Sequence, residues 1–466
     1  MYKFLLPIIW LMVLFGISCK KDSVITSPNA QINFSSDTIS FDTVFTSVGS
    51  ITQSVKVFNP NNQKLLLSQV RLMGGVSSSF KINIDGAPGP NVSNIELDAN
   101  DSLYIFVTVF VNPTAANLAF ILQDSIQISF NGNQQFIQLR AWGQNAHFLQ
   151  NQIISSNTSW TNDLPYVILG GLQIDSAAIL TVLPGCKIYL HADAAIVVGG
   201  SLQTQGQKYD STRIYFQGDR LDYPYSGFPA SWPGIFFTGS SKENILEFTV
   251  IKNADEGLVI TGSSGDANPK VILNECILDN IYDAAILATQ TSVQARNCLL
   301  SNSGRNVVLD YGGNYSFTHC TVASFSNDYI AHLSPVLNIS NYEIQGNIPV
   351  ESNLTANFIN CIFWGDFGTV SDEVVVAEQG NTVFSVGFQN CLWKYTNQPA
   401  GVDSSNMITN LDPLFDSVNN QERIYDFHLK PTSPAINKGI NTGVLFDLDG
   451  NPRPVGLPDL GCYENQ

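Results

Sequence analysis

Hydrophobic and polar residues alternate in short runs over the first third of the chain. From about Ile32 to Ala146 these runs include Ser54-Val55-Lys56-Val57-Phe58, Leu103-Tyr104-Ile105-Phe106-Val107 and Ser125-Ile126-Gln127-Ile128-Ser129-Phe130. Period-two alternation places successive side chains on opposite faces of a strand. Turn-forming clusters separate the runs: Asn59-Pro60-Asn61-Asn62, Asp85-Gly86-Ala87-Pro88-Gly89-Pro90 and Asn131-Gly132-Asn133. Short strands at this spacing predict an antiparallel β-sandwich over residues 32–146. The segment holds no cysteine, so it is not an antibody-type disulfide domain.

After Ala146 the alternation acquires a period. Cys276, Cys298 and Cys320 recur every 22 residues. Leu273, Ala295 and Phe317 stand three residues before them, and Leu278, Leu300 and Val322 two after. Asn280 and Asn302 follow at plus four; one repeat upstream Thr249 fills the cysteine slot and Asn253 the asparagine slot. A second apolar run comes next in each repeat: Leu258-Val259-Ile260, Ala285-Ile286-Leu287 and Val307-Val308-Leu309. Looser copies keep an Asn-Cys pair at Cys361 and Cys391. This period is too short for a propeller blade and holds no helical stretch for a leucine-rich repeat. A parallel β-helix remains, its rungs stacked about 4.8 Å apart. The pattern predicts this coil over residues 147–400, with about ten rungs, and final rungs with a cap over 401–466.

Composition agrees with an all-β chain: 13% of residues are charged and 44% hydrophobic. A formal net charge of −17 repels polyanions, which excludes nucleic acid as a partner. At the N-terminus Lys3 precedes an apolar run from Phe4 to Ile17. That run is shorter than the roughly 20 apolar residues of a membrane-spanning helix and suits the core of a signal peptide. The following Gly16-Ile17-Ser18-Cys19 resembles the lipobox of Gram-negative bacterial lipoproteins, with Gly16 where that family usually has leucine. The resemblance implies cleavage before a diacylated Cys19, residues 20–31 as a tether, and an exported outer-membrane lipoprotein at the cell surface or periplasmic face, attached to the membrane through its lipid anchor alone.

Two further resemblances concern the fold. Phe41-Asp42-Thr43-Val44-Phe45 through Phe58-Asn59-Pro60 is similar to the immunoglobulin-like modules found after the anchor of bacterial surface proteins. The repeat columns resemble right-handed parallel β-helix proteins of the pectate-lyase-like superfamily. So do the opening segments with Trp160, Leu180-Thr181-Val182-Leu183-Pro184-Gly185 and Gly200-Ser201-Leu202, and the closing Asp412-Pro413-Leu414-Phe415 and Asp459-Leu460-Gly461-Cys462-Tyr463-Glu464. The implied fold class is all-β, an N-terminal immunoglobulin-like β-sandwich followed by a right-handed parallel β-helix with a C-terminal cap. The superfamily hosts lyases, hydrolases, epimerases and non-catalytic adhesins, so fold alone implies no activity.

Candidate chemistry falls into four groups. Cys276, Cys298 and Cys320 form a linear column of parallel side chains; these neither converge on a metal nor reach the roughly 3.8 Å Cβ separation of a disulfide, so they read as small buried hydrophobes. Asn253, Asn280 and Asn302 read as a ladder of stacked turn amides. Three residues past each asparagine, Glu256, Asp283 and Arg305 line up on the surface, where two carboxylates beside an arginine suit calcium and uronate elimination, or a plain surface ion pair. The insertion from Asp219 to Trp232 offers Asp219, Arg220, Asp222, Tyr223, Tyr225, Phe228 and Trp232, either as sugar-stacking aromatics with flanking acids or as a seal over a seam. Asp447, Asp449 and Asn451 form a D-x-D-x-N run that departs from a calcium loop in the position of its glycine and the lack of a twelfth-position glutamate. No nucleophile elbow, P-loop or dinucleotide fingerprint is present.

Taken together these features predict a membrane-anchored envelope protein that binds a polysaccharide or another envelope component without transforming it and needs no cofactor, with calcium the one candidate ion. A carbohydrate-active lyase or glycoside hydrolase, and a structural adhesin, are the alternatives.

Overall fold

Almost every alternating run becomes a strand. The computed structural model describes residues 23–45, 50–111 and 120–466; Cys19, the apolar leader and residues 20–22 lie outside the described residues. The chain divides into two units, one ending at Asn145 and the other beginning at Ala146.

Among the described residues the first unit holds two sheets. One is antiparallel and joins Asn33–Phe34, Gln53–Phe58, Ser102–Val109, Phe80–Ile84 and Ala87–Pro88. The other centres on Lys64–Leu72, Phe120–Phe130 and Asn133–Gln144, also antiparallel. Two of its pairings depart from the antiparallel expectation: Val24–Ile25 runs parallel to Lys64–Leu72, and Thr38–Phe45 runs parallel to Asn133–Gln144. Inward residues of both sheets, among them Val55, Ile105, Leu67, Ile126 and Ile137, share one buried core.

The second unit is dominated by a sheet of 26 strands among the described residues, its pairings parallel. Each turn of chain lays down three strands, so the sheet wraps into three faces in the manner of a parallel β-helix. Face A stacks Val271–Asn274, the second halves of Ala284–Arg296 and Arg305–Thr318, Leu354–Ile359 and Phe384–Gln389. Face B stacks Ile277–Asp279, Leu299–Ser301, Thr321–Phe325, Ile362–Asp366 and Leu392–Trp393. Face C stacks Leu258–Thr261, the first halves of Ala284–Arg296 and Arg305–Thr318, Leu337–Ser340 and Val374–Ala377.

The turn from face A to face B takes a single left-handed residue: Glu275, Asn297, His319, Asn360 or Asn390, with φ between 49° and 58°. Asparagine tolerates this region better than most residues, which explains the Asn-Cys pairs. The next residue then points inward, and Cys276, Cys298, Cys320, Cys361 and Cys391 are all fully buried and free. Beside them Phe317, Phe358 and Phe388 stack with centroids 5.3 and 4.7 Å apart, within the favourable range for offset rings. Each such side chain contributes about 1.5–3 kcal/mol by burial.

The C-terminal segment is a side wall where a cap was expected. Val402–Ser405 and Ile408–Thr409 add two last strands to faces A and B. The chain then doubles back along the rungs. The carbonyls of Lys438, Ile440, Phe446 and Leu448 accept in turn from Asn390, Asn360, Asn297 and Arg213. The cause is the outer surface of face B, where Leu299, Ile362 and Leu392 point outward and are covered by Phe415, Phe427, Leu448 and Leu460. Among the described residues no helix is long and apolar enough to cross a membrane.

Candidate functional site

Outward positions on face A carry hydroxyls and amides where those on face B carry aliphatics. One row runs Ser292, Asn314, Thr355, Ser385 and the next Gln294, Ser316, Asn357. Rung spacing sets neighbouring side chains within each row about 4.8 Å apart. Loops raise two rims over this strip. One is the segment 263–269, tied by Ser264 Oγ–H to the Asn268 carbonyl at 2.8 Å. The other follows the hairpin Tyr342–Gln345/Ile348–Glu351 and brings in Ser352 and Asn353. Between them lies a groove of about 510 Å³ whose sole titratable lining residue is Asp266.

A buried lysine anchors the first rim. Lys270 is fully buried, and its ammonium donates to the carbonyls of Thr238, Gly239 and Thr261 at 2.9, 3.2 and 2.7 Å. It holds the base of the loop at the level of the rung below. Across the groove Gln290 Nε2–H reaches Ser352 Oγ at 3.4 Å.

The charged ladder lies on the turn between faces B and C. Backbone bonds from Asp283 N–H to Asp255 O and from Arg305 N–H to Asp283 O stack the three turns in register. Arg305 then grips Asp283 through two parallel bonds, Nε–H to Oδ1 at 2.7 Å and Nη2–H to Oδ2 at 2.6 Å. Glu256 accepts from the Ala284 amide at 3.2 Å. Burial and the neighbouring Asp283 carboxylate push the Glu256 carboxyl up to about 7, whereas the Arg305 bonds hold Asp283 below the usual range. Near neutrality the fold therefore favours a protonated Glu256 beside an ionised Asp283. Arg305 thus neutralises Asp283 in a bidentate ion pair made through Nε and Nη2.

The insertion residues divide: Arg220, Asp222, Tyr225 and Phe228 touch one another in a chain, whereas Trp232 turns into the core. Asp219 bonds His191 Nδ1 at 2.7 Å. Arg220 chelates Asp222 at 2.9 and 3.1 Å and lies 3.9 Å over the Tyr225 ring. Phe228 packs between Tyr225 and Tyr329 at 5.2 and 4.9 Å. Tyr223 is 86% exposed. Trp232 corrects the expectation of an exposed aromatic: it is 1% exposed, and its indole N–H donates to the Lys252 carbonyl at 3.0 Å, because a large amphipathic ring at the return to the coil fills the core and satisfies its one donor.

Asp447, Asp449 and Asn451 make a turn with its oxygens already occupied. Asp447 Oδ1 accepts from the amides of Asp449 and Asn451 at 3.0 and 2.8 Å, and Oδ2 from Glu464 at 3.1 Å. Asp449 turns instead to His428 Nε2 at 2.9 Å. Among the described residues no cluster of three or more His, Cys, Asp or Glu is placed to hold a metal. In the asparagine ladder Asn280 Nδ2–H reaches Asn253 Oδ1 at 2.8 Å, but Asn302 turns to Asp279 at 3.1 Å. The thiols of the cysteine column point to backbone carbonyls, as in Cys298 to Arg296 at 3.2 Å, and burial pushes them well above their ordinary range.

The groove of face A was absent from the expected site. Its signal is present: counted from Cys298, Cys320 and Cys361, the minus-six and minus-four positions are polar and uncharged at Ser292, Gln294, Asn314, Ser316, Thr355 and Asn357.

No family model matches the chain, and no curated protein matches it. Among solved structures it is similar to a family 123 glycoside hydrolase from Clostridium perfringens at 11% identity and a TM-score of 0.20, over 27% of this chain and 30% of that one. The chain thus spans less than a third of the length of that hydrolase. It is also similar to a PapD-like domain of human CEP192, at 9% identity and a TM-score of 0.18, over 26% of this chain and 89% of that one. At these scores neither likeness bears on activity.

Proposed function

We propose that this is an exported, lipid-anchored envelope protein whose β-helix, right-handed as in the pectate-lyase-like superfamily, binds a neutral glycan along face A without cleaving it, with an immunoglobulin-like unit as spacer. The observation that carries the reading is the groove itself: a strip of hydroxyls and amides, repeated at the rung spacing and walled by two loops. Such groups donate to and accept from sugar hydroxyls, and their repetition along the coil suits a polymer. Most glycosidases use two carboxyl groups about 5–9.5 Å apart across the scissile bond, and this groove is lined by one.

A second reading rests on the raised Glu256 carboxyl beside Asp283. A carboxyl near 7 is poised for general acid–base work, and Arg305 borders a hollow of about 340 Å³ on face C. Protein lacking residues 1–19, screened against a panel of neutral and acidic polysaccharides, separates the two. The binding reading expects retention with no new reducing or unsaturated ends. Cleavage that disappears in Glu256→Gln would establish the enzyme instead.

A further inference from the structure

Both rims of the groove sit on one corner of the coil. Segment 262–270 joins Leu258–Thr261 of face C to Val271–Asn274 of face A, and segment 341–353, with its hairpin, joins Leu337–Ser340 to Leu354–Ile359 across the same corner. The two rungs between them turn that corner without a loop, inside the continuous strands Ala284–Arg296 and Arg305–Thr318, on left-handed Gln290 and Tyr311 with φ of 49° and 55°. The rims therefore stand one after the other along the coil axis, and the groove opens sideways toward face C.

On that side lies the hollow of about 340 Å³. It begins where the groove ends. Asp310 lines the hollow and Gly313 the groove, three residues apart on one strand and so separated by at most about 11 Å, with half-buried Tyr311 between them. Ser340 lines the hollow and Ser352 the groove, and at the base of the hairpin the Ser352 amide donates to the Asn341 carbonyl at 2.7 Å.

Unlike the groove, the hollow has an apolar floor. Val308, Pro335, Val375 and Ala377 form it, and Val375 is 39% exposed. Asp310 and Asn338 beside it supply an acceptor and a donor. Asn338 spends one Nδ2–H on the Pro335 carbonyl at 3.2 Å and carries a second, whereas Asp310 Oδ1 accepts from the Tyr311 amide at 3.0 Å and from Ser340 Oγ–H. The Arg305 guanidinium at the edge is held by Asp283. An acetamido group carries all three complements, a methyl for the floor, an N–H for the carboxylate and a carbonyl for the amide. We propose that groove and hollow hold one linear glycan, which crosses the corner at Tyr311 and places an N-acetylated amino sugar in the hollow. The inference rests on the groove reading and adds the sugar class that the chain must contain.

The test is isothermal titration of two β-1,4-linked tetrasaccharides, one of N-acetylglucosamine and one of glucose, which differ only in carrying an acetamido group or a hydroxyl. Protein lacking residues 1–19 is compared with Ala377→Phe, which fills the hollow, and Ser316→Trp, which obstructs the groove, each checked for folding by circular dichroism. We expect the acetylated chain to bind about ten-fold more tightly, the discrimination that one apolar contact provides. Ala377→Phe should remove that difference and keep the binding of the glucose chain, whereas Ser316→Trp should weaken both. If Ala377→Phe fails to fold, Asn338→Ala decides by the same loss of preference. Equal affinities in the wild type, or a preference that survives the hollow variants, overturn the proposal and leave the groove reading standing. Binding of neither chain overturns it too. Binding of both that survives Ser316→Trp defeats the groove reading itself, and the shared chain with it.

Discussion

A buried thiol, a clamped imidazole and a raised carboxyl show what single residues contribute. The cysteines of the column are enclosed by the coil, and burial holds them as thiols. Since the thiolate is the reactive form, a thiol reagent should leave all seven described cysteines unmodified in native protein lacking Cys19 and label all seven in denaturant; fast native labelling would contradict the inward placement. His428 sits between Asp449 and Asp426, at 2.9 and 2.5 Å, and these bonds push it up to about 9. A base whose folded pKa is raised contributes stability fully below its ordinary value near 6.5 and loses it as pH rises through about 9. His428→Gln should therefore lower the Tm at pH 6 and leave it unchanged at pH 10, and the effect should stay within about 1 kcal/mol because all three groups are partly exposed. Glu256 has the same sign of shift on an acid: its protonated form is favoured in the fold, so stability falls as pH rises through about 7. Glu256→Gln should raise the Tm at pH 8.5 relative to wild type and have little effect at pH 4.5, read by calorimetry at both values.

At the scale of elements, much was legible from column arithmetic. The 22-residue period aligns Leu273, Ala295 and Phe317 on one face and Leu278, Leu300 and Val322 on the next, and the pairing registers place them so. What the period hides is direction outward. Polar residues at minus four and minus six read as ordinary solvent-facing positions until two loops far apart in sequence wall them into a groove. Trp232 misled for the opposite reason: an aromatic inside a polar insertion looks exposed, but it closes the insertion and belongs to the core. The side wall had a signal too, because Leu299, Ile362 and Leu392 each follow a cysteine and must point away from it. Chain ending before Phe415 should therefore expose that apolar strip and precipitate or bind a hydrophobic dye, whereas wild type does neither. At the tight turn, Asn297→Val should cost about 1–3 kcal/mol in urea unfolding, since a β-branched residue resists φ 49°.

For the whole molecule, the faces of the coil have different work, and the lipid anchor and spacer remain part of the proposal. Face B is covered by the chain's own C-terminal segment, the turn between B and C is locked by ion pairs, and face A presents a polar groove. If Cys19 carries the lipid, Cys19→Ala should move the protein from the membrane fraction to the soluble one; unchanged membrane association would defeat the anchor. The central claim is that the groove on face A holds the glycan. Its most direct test is isothermal titration of a retained oligosaccharide into wild type and Ser316→Trp, with folding checked by circular dichroism. The account predicts that filling the groove abolishes binding while the fold persists. Equal affinity in the folded variant would place the glycan elsewhere and contradict it.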